Sequence, residues 1–230
     1  MPKKPKIELT WRDESWLDSG EVAVPLEITA RADAVDVLYY PSAKSLVTEF
    51  LERFGEDESS LFSRDAILWA TENFGAFLDE CGFELSPDSY DHYINFALHT
   101  TTAKSSPDVR RLCGGEGYDD LTDTDIDGLL SEGYIVYAAV VDNKIVAVAN
   151  TGEPIDGEAR EIEIGVDTAE KYRRRGYAKA CVSALCAELS RLGHTAIYEC
   201  ASGNAASIRL AESLGGKPIY KKYYIVGFGK

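Results

Sequence analysis

Residues 161–192 constrain the fold more than any other stretch. EIEIGVDT alternates apolar and polar residues and reads as a strand. AEKYRRRGYAK then sets Lys171, Arg173, Arg174 and Arg175 against Gly176. Beyond it, Tyr177, Cys181, Ala184, Leu185, Leu189 and Leu192 form the stripe of an amphipathic helix, which Gly193 closes. A strand that feeds a helix through a glycine loop turns backbone N–H groups and the helix dipole toward one point, where an anion is stabilised. Arginine side chains add charge-assisted contacts to phosphate oxygens. Glycine at the helix mouth leaves open the space that a side chain would take from the anion. Other phosphate loops fit worse: G-x-x-x-x-G-K-[ST] is absent, and GGEG at 114–117 lacks the third glycine of a dinucleotide fingerprint.

The surrounding pattern fixes the kind of sheet. LTDTDIDGLLSEG reads as a short capped helix, and YIVYAAVV and IVAVANTG as strands joined by a tight turn at Asp142 and Asn143. TAIYEC (195–200) is a strand, Asn204 caps a helix running to about Leu214, and IYKKYYIVGF is a final strand. The order α-β-β-β-α-β-α-β calls for a mixed α/β fold, with parallel and antiparallel pairs in one central sheet and helices flanking it. The first half is less regular. A strand is expected at 34–40, a helix at 42–55 with Ser42 as its cap, a helix at about 63–80 and a strand at 89–100. Residues 1–30 are mixed, with Trp11 and Trp16 as packing anchors. The loop-rich TTAKSSPD and CGGEG place a boundary near 115, giving an N-terminal α/β extension over 1–115 and a second domain over 116–230.

Composition narrows the function classes. A formal net charge of -15 argues against general affinity for nucleic acid or anionic membranes, so the basic cluster is aimed at a small anion. The N-terminus is basic with no apolar stretch behind it, and no apolar run reaches the ~18 residues of a membrane span. A soluble, cytoplasmic protein is expected. Five cysteines without a C-x-x-C pair read as reduced thiols, mostly small buried hydrophobes. The three histidines show no metal-ligand spacing, so no metal site is expected.

Two motifs carry a resemblance. RRRGYA (173–178) matches R/Q-x-x-G-x-G/A, and NAASIRLAESLGG (204–216) matches N-x-x-S/A-x-x-L-x-x-x-L-G, with one helix and one strand between them. In this, residues of about 118–228 resemble the GNAT superfamily of acyl-CoA N-acyltransferases. The resemblance implies a GNAT-like fold with two splayed parallel strands, the coenzyme A arm lying in the gap by strand addition. Val166, Asp167 and Thr168 are then the strand contacts. The N–H groups of Arg174, Arg175, Gly176, Tyr177 and Ala178 hold the pyrophosphate, with charge from Arg173. Asn204 is either a ligand of the arm or a helix cap, or both, and Ser207 a capping, packing or ligand residue. The ring of Tyr177 packs inward.

The implied reaction is direct transfer of the acetyl group of acetyl-CoA to a primary amine, on a small molecule or a protein. The attacking ammonium must first lose a proton, and Glu161 and Glu163, which share a sheet face by strand alternation, are the candidate bases. A backbone N–H such as that of Val166 would stabilise charge on the thioester carbonyl. Many members protonate the leaving thiolate with a tyrosine seven residues after the Asn204 position, which here is Ala211. Tyr220, Tyr223 and Tyr224 are possible substitutes. The departure leaves a second reading open, an acyl-CoA-binding regulatory or interaction module without chemistry. The first half is either a truncated copy of the same fold or a substrate lobe. The acidic balance leans toward a cationic acceptor, and a homodimer is a further expectation.

Overall fold

The structure, a computed structural model, describes residues 5–15, 17, 20–99, 108–155 and 160–230, so Trp16 and most of TTAKSSPD lie outside the described residues. In chain order the strands are β1 (Lys6–Trp11), β2 (Val22–Ala30), β3 (Ala34–Tyr39), β4 (Phe83–Leu85), β5 (Tyr93–Leu98), β6 (Val109–Arg111), β7 (Asp119–Asp120), β8 (Val136–Val141), β9 (Lys144–Thr151), β10 (Glu161–Thr168), β11 (Thr195–Ala201) and β12 (Lys217–Gly229). The helices are α1 (Lys44–Phe54), α2 (Glu58–Leu61), α3 (Arg64–Glu80), α4 (Ile126–Ser131), α5 (Tyr177–Leu192) and α6 (Ala205–Ser213). The chain is thus of the mixed α/β class. Two compact units divide it: one takes the chain up to Ile94 with Ala201–Gly203 and Ile219–Lys230, the other Asn95–Cys200 with Asn204–Pro218.

In the first unit β2 pairs antiparallel with both β3 and β12, and β1 pairs parallel with β3. The strands β1 and β2 fall in the stretch whose sequence shows no clear pattern. Pro25 is the reason for β2. It has no N–H to give a ladder, and the β12 register slips between Ile225 and Gly227, so that Val24 and Pro25 together face Val226. The Val226 N–H donates instead to the Ser89 hydroxyl at 3.0 Å. Phe50 of α1 and Phe74 and Leu78 of α3 pack with Leu26, Ile28 and Tyr223 in one buried core. Ser63 caps α3 by accepting from the Ala66 N–H. Ser42 does not cap α1, contrary to expectation. A 3₁₀ turn, Pro41–Ala43, precedes the helix, and Ser42 gives both its N–H and its hydroxyl to Glu14.

The second unit holds the strand order β11-β10-β9-β8-β6, with β7 parallel to β9. Asp142 and Asn143 take φ values of 49° and 61°, as the two-residue β8–β9 hairpin requires. Asp125 caps α4, which packs Ile126 on Val136, Ala138 and Val148. The helix α5 lies across β8 and β9 on the other face, burying Cys181, Val182, Leu185 and Leu189.

Candidate functional site

The strands β10 and β11 form a fork. They pair in parallel only at Glu161↔Thr195, Ile162↔Ala196 and Glu163↔Ile197. Past that point β10 stays with β9, from Ile164↔Thr151 to Thr168↔Ala147, while β11 departs. Backbone alternation decides what the open edge offers. Gly152 donates to the Glu163 carbonyl at 2.7 Å and Ala169 to the Val146 carbonyl at 3.0 Å, so the odd-numbered residues of β10 face β9. The N–H and C=O groups of Ile164, Val166 and Thr168 therefore point into the fork. The Thr168 N–H is taken by the Asp167 carboxylate at 2.6 Å, and the Thr168 carbonyl accepts from Arg173 Nε at 3.0 Å. Val166 is left in the middle of the open edge. The backbone of Asp167 faces β9, and its carboxylate also accepts from the Asp123 N–H at 2.7 Å.

The basic loop follows directly. After the 3₁₀ turn Glu170–Tyr172, Arg174 takes φ 63° and Gly176 φ 89°. Left-handed residues set among right-handed ones turn successive N–H groups inward, making a concave anion site. No side chain caps the first turn of α5, and a Cβ on Gly176 would meet nothing within 4 Å. The Arg175 guanidinium lies over the Tyr172 ring, 5.2 Å from its centre.

Fork and loop open into one cleft of 680 Å³ within the second unit. Its walls bring together Val166, Asp167, Thr168, Arg173, Arg174, Gly176, Tyr177, Ala178, Asn204 and Ser207. Tyr172, Lys179, Tyr198, Arg209 and Leu210 also line it and were not singled out by the sequence. Four cationic side chains against one acid, in a chain of net charge -15, make the cleft a local exception in sign. Lys179 Nζ donates to the Ser213 carbonyl at 2.7 Å, at the end of α6, where a cation is favoured. Asn204 accepts from the Ser207 N–H and caps α6. A larger hollow of 870 Å³ along α1 is an open surface, with Glu49 and Arg53 of its lining paired to each other.

Arg175, Glu161 and Glu163 are not among the cleft walls. The two glutamates are exposed, on the face of β10 opposite the buried Ile162 and Ile164, at the closed end of the fork. Burial pushes the Cys181 and Cys186 thiols up to about 12 and Cys200 up to about 11, which removes them as nucleophiles near neutral pH. Ala211 is fully buried. The Tyr223 phenol sits in the core of the first unit, hydrogen-bonded with the Thr71 hydroxyl at 3.2 Å and donating to the Ile67 carbonyl. Tyr224 of that unit stacks on Tyr93 and Tyr220 on the Arg31 guanidinium. Among the described residues no group of three or more His, Cys, Asp or Glu side chains is arranged to hold a metal, and no helix is long and apolar enough to cross a membrane.

The GNAT acetyltransferase family matches residues 131–224. A solved candidate acetyltransferase of the GNAT family from Novosphingobium aromaticivorans is 20% identical, over 65% of this chain and 69% of that one, with a TM-score of 0.52. A GCN5-related N-acetyltransferase from Kribbella flavida is 14% identical over 67% of this chain, with a TM-score of 0.42, and the match spans only 63% of its length. A candidate acetyltransferase from Salmonella typhimurium, solved with acetyl-CoA, is 23% identical over 44% of this chain and 67% of that one, with a TM-score of 0.35. No curated protein matches the sequence significantly. The fork, the anion loop and the family match all fall in one segment, residues 131–224, which is similar to the GNAT acetyltransferase family and shares its fold.

Proposed function

We propose that the protein transfers the acetyl group of acetyl-CoA directly to a primary amine, on a small molecule or a protein. The observation that carries the reading is the cleft itself, in which an open strand edge leads to a cationic glycine loop. The residues suit coenzyme A. The space above Gly176, where a Cβ would meet nothing, is the cradle for a pyrophosphate, held by N–H groups from Arg174 to Ala178. Arg173, Lys179 and Arg209 add charge around it. The Val166 edge is open to the amides of an extended arm, as an added strand would be. Bound there, acetyl-CoA supplies an activated acyl thioester.

The chain's own groups then have defined tasks. The Val166 N–H polarises the acyl carbonyl at the open edge. Glu163, with Glu161 behind it, takes the ammonium proton of the acceptor through water, since an amine near pKa 10 is otherwise charged. The chain's negative charge favours a cationic acceptor, such as a polyamine or a lysine side chain. The test is thiol release from acetyl-CoA against a panel of amines. Saturable, amine-dependent release supports the reading. Tight acetyl-CoA binding with no amine accelerating release would support the module without chemistry.

A further inference from the structure

We infer that Tyr198 donates the proton that the departing sulfur takes, filling the role left vacant by Ala211. The inference rests on the acetyl-transfer reading and goes beyond it in naming a residue. Tyr198 is the first residue of β11 past its last pair with β10, Ile197, so it stands at the closed end of the fork. From Thr168, where the anion loop begins, to Ile164 is four residues of strand, about 13 Å at 3.3 Å per residue. An arm anchored at the loop and extended along β10 brings its reacting end to this closed end.

The side chain meets the requirements of a donor. In the parallel register Ala196 pairs with Ile162, so Tyr198 falls on the face of Ile162 and Ile164, and it lines the cleft. It is 4% exposed and lines the same cleft as Ser207. Burial raises it above the usual phenol value, so it stays protonated at neutral pH. Ser207 lies one helical turn before Ala211 on the same face of α6. Tyr198 of β11 thus shares a cleft with Ser207 of the helix face whose position 211 carries only a buried methyl. The other phenols of the cleft, Tyr172 and Tyr177, lie together at the anion loop, their ring centres 6.3 Å apart.

The step balances. The amine lone pair forms the C–N bond as the C–S bond breaks, and the electron pair of that bond leaves with sulfur. Tyr198 Oη gives its proton to the sulfur, and solvent returns a proton to the phenolate. The neutral nitrogen loses one proton to water as it forms the amide, which balances the proton the sulfur gains, while the proton that Glu163 took from the ammonium is the one released to solvent overall.

The test is Tyr198→Phe, which keeps the buried ring and removes one hydroxyl. Two readouts apply, steady-state kinetics and calorimetric affinity for coenzyme A and desulfo-coenzyme A at pH 9, where the thiol is partly ionised. The expected result is a fall in kcat of about 100-fold or more, with KM for acetyl-CoA nearly unchanged. Wild type prefers coenzyme A over the desulfo analogue, whereas the variant loses that preference and keeps wild-type affinity for the analogue, showing an intact cleft. A variant with wild-type kcat and an undiminished preference for the thiol overturns the role of Tyr198 while leaving acetyl transfer standing. A wild-type protein that binds neither molecule overturns the acetyl-CoA reading itself.

Discussion

Replacing Gly176 separates two contributions to the anion site. With φ at 89°, any L-residue there adopts a left-handed conformation that costs about 1–2 kcal/mol. The new Cβ meets nothing within 4 Å, so no clash adds to this. At roughly 2–4 °C per kcal/mol for a chain of this size, Gly176→Ala lowers Tm by about 2–8 °C and leaves the protein folded. Gly176→Glu carries the same strain and places a carboxylate where the pyrophosphate rests. Losing two hydrogen bonds to a charged group, each worth about 1.5–3 kcal/mol, weakens coenzyme A binding by about 3–6 kcal/mol, or at least 100-fold. Titration calorimetry and thermal melts on the two variants measure both terms. The defect of the glutamate variant should shrink as salt screens the repulsion, and that of the alanine variant should change less. Wild-type coenzyme A affinity in Gly176→Glu would refute the placement of the anion, whatever the family.

Three further outcomes are expected. Tyr223→Phe removes a hydroxyl bonded in the core and leaves the Thr71 hydroxyl with one partner fewer, lowering stability by about 1–2 kcal/mol in denaturant titrations; kcat should not move, in contrast to Tyr198→Phe. A thiol-reactive dye at pH 8 should label the exposed Cys81 and Cys113 within minutes, and Cys181, Cys186 and Cys200 only after denaturation. Rapid native labelling of all five would show that the second unit opens. Burial holds the His92 imidazole below its usual 6.5, although the Asp91 carboxylate lies 3.8 Å from its Nδ1, which has no hydrogen-bond partner among the described residues. The folded state therefore resists protonation: the contribution is complete above pH 6.5 and is lost as pH falls toward the depressed folded value. His92→Phe, beside the Phe62 ring, should flatten the pH dependence of Tm below 6.5.

Local signals were legible in the sequence, and those that depend on distant pairing were not. The glycine loop, the Asn204 cap, the β8–β9 turn and the α5 stripe are each written within a few residues, and each forms where its pattern places it. The strand β1 is almost wholly exposed, so it shows no buried alternation, and β2 hides behind a proline that only the slip in β12 makes tolerable. Arg173, Arg174 and Arg175 look equivalent along the chain, yet Arg175 is drawn onto Tyr172. Strand alternation puts Glu161 and Glu163 on one face but does not reveal that this face is not a wall of the cleft. Tyr198 carried no motif at all. Its position matters only because β11 leaves β10 one residue earlier, a property of two segments more than thirty residues apart.

The open edge of β10 has a cost outside catalysis. A row of unsatisfied N–H and C=O groups on a strand is the template on which foreign strands add and aggregates grow. Here the open stretch is short and centred on Val166, because Asp167 and Arg173 take the Thr168 groups, and it sits inside a fork that is closed at Glu163 and lined by Arg173, Arg174, Lys179 and Arg209, so an approaching strand must enter a positively charged cleft. The backbone atoms offered to a ligand are therefore also those most in need of cover. Coenzyme A, by completing the strand, should act as a chaperone for its own binding site, delaying aggregation on heating by more than its affinity alone predicts.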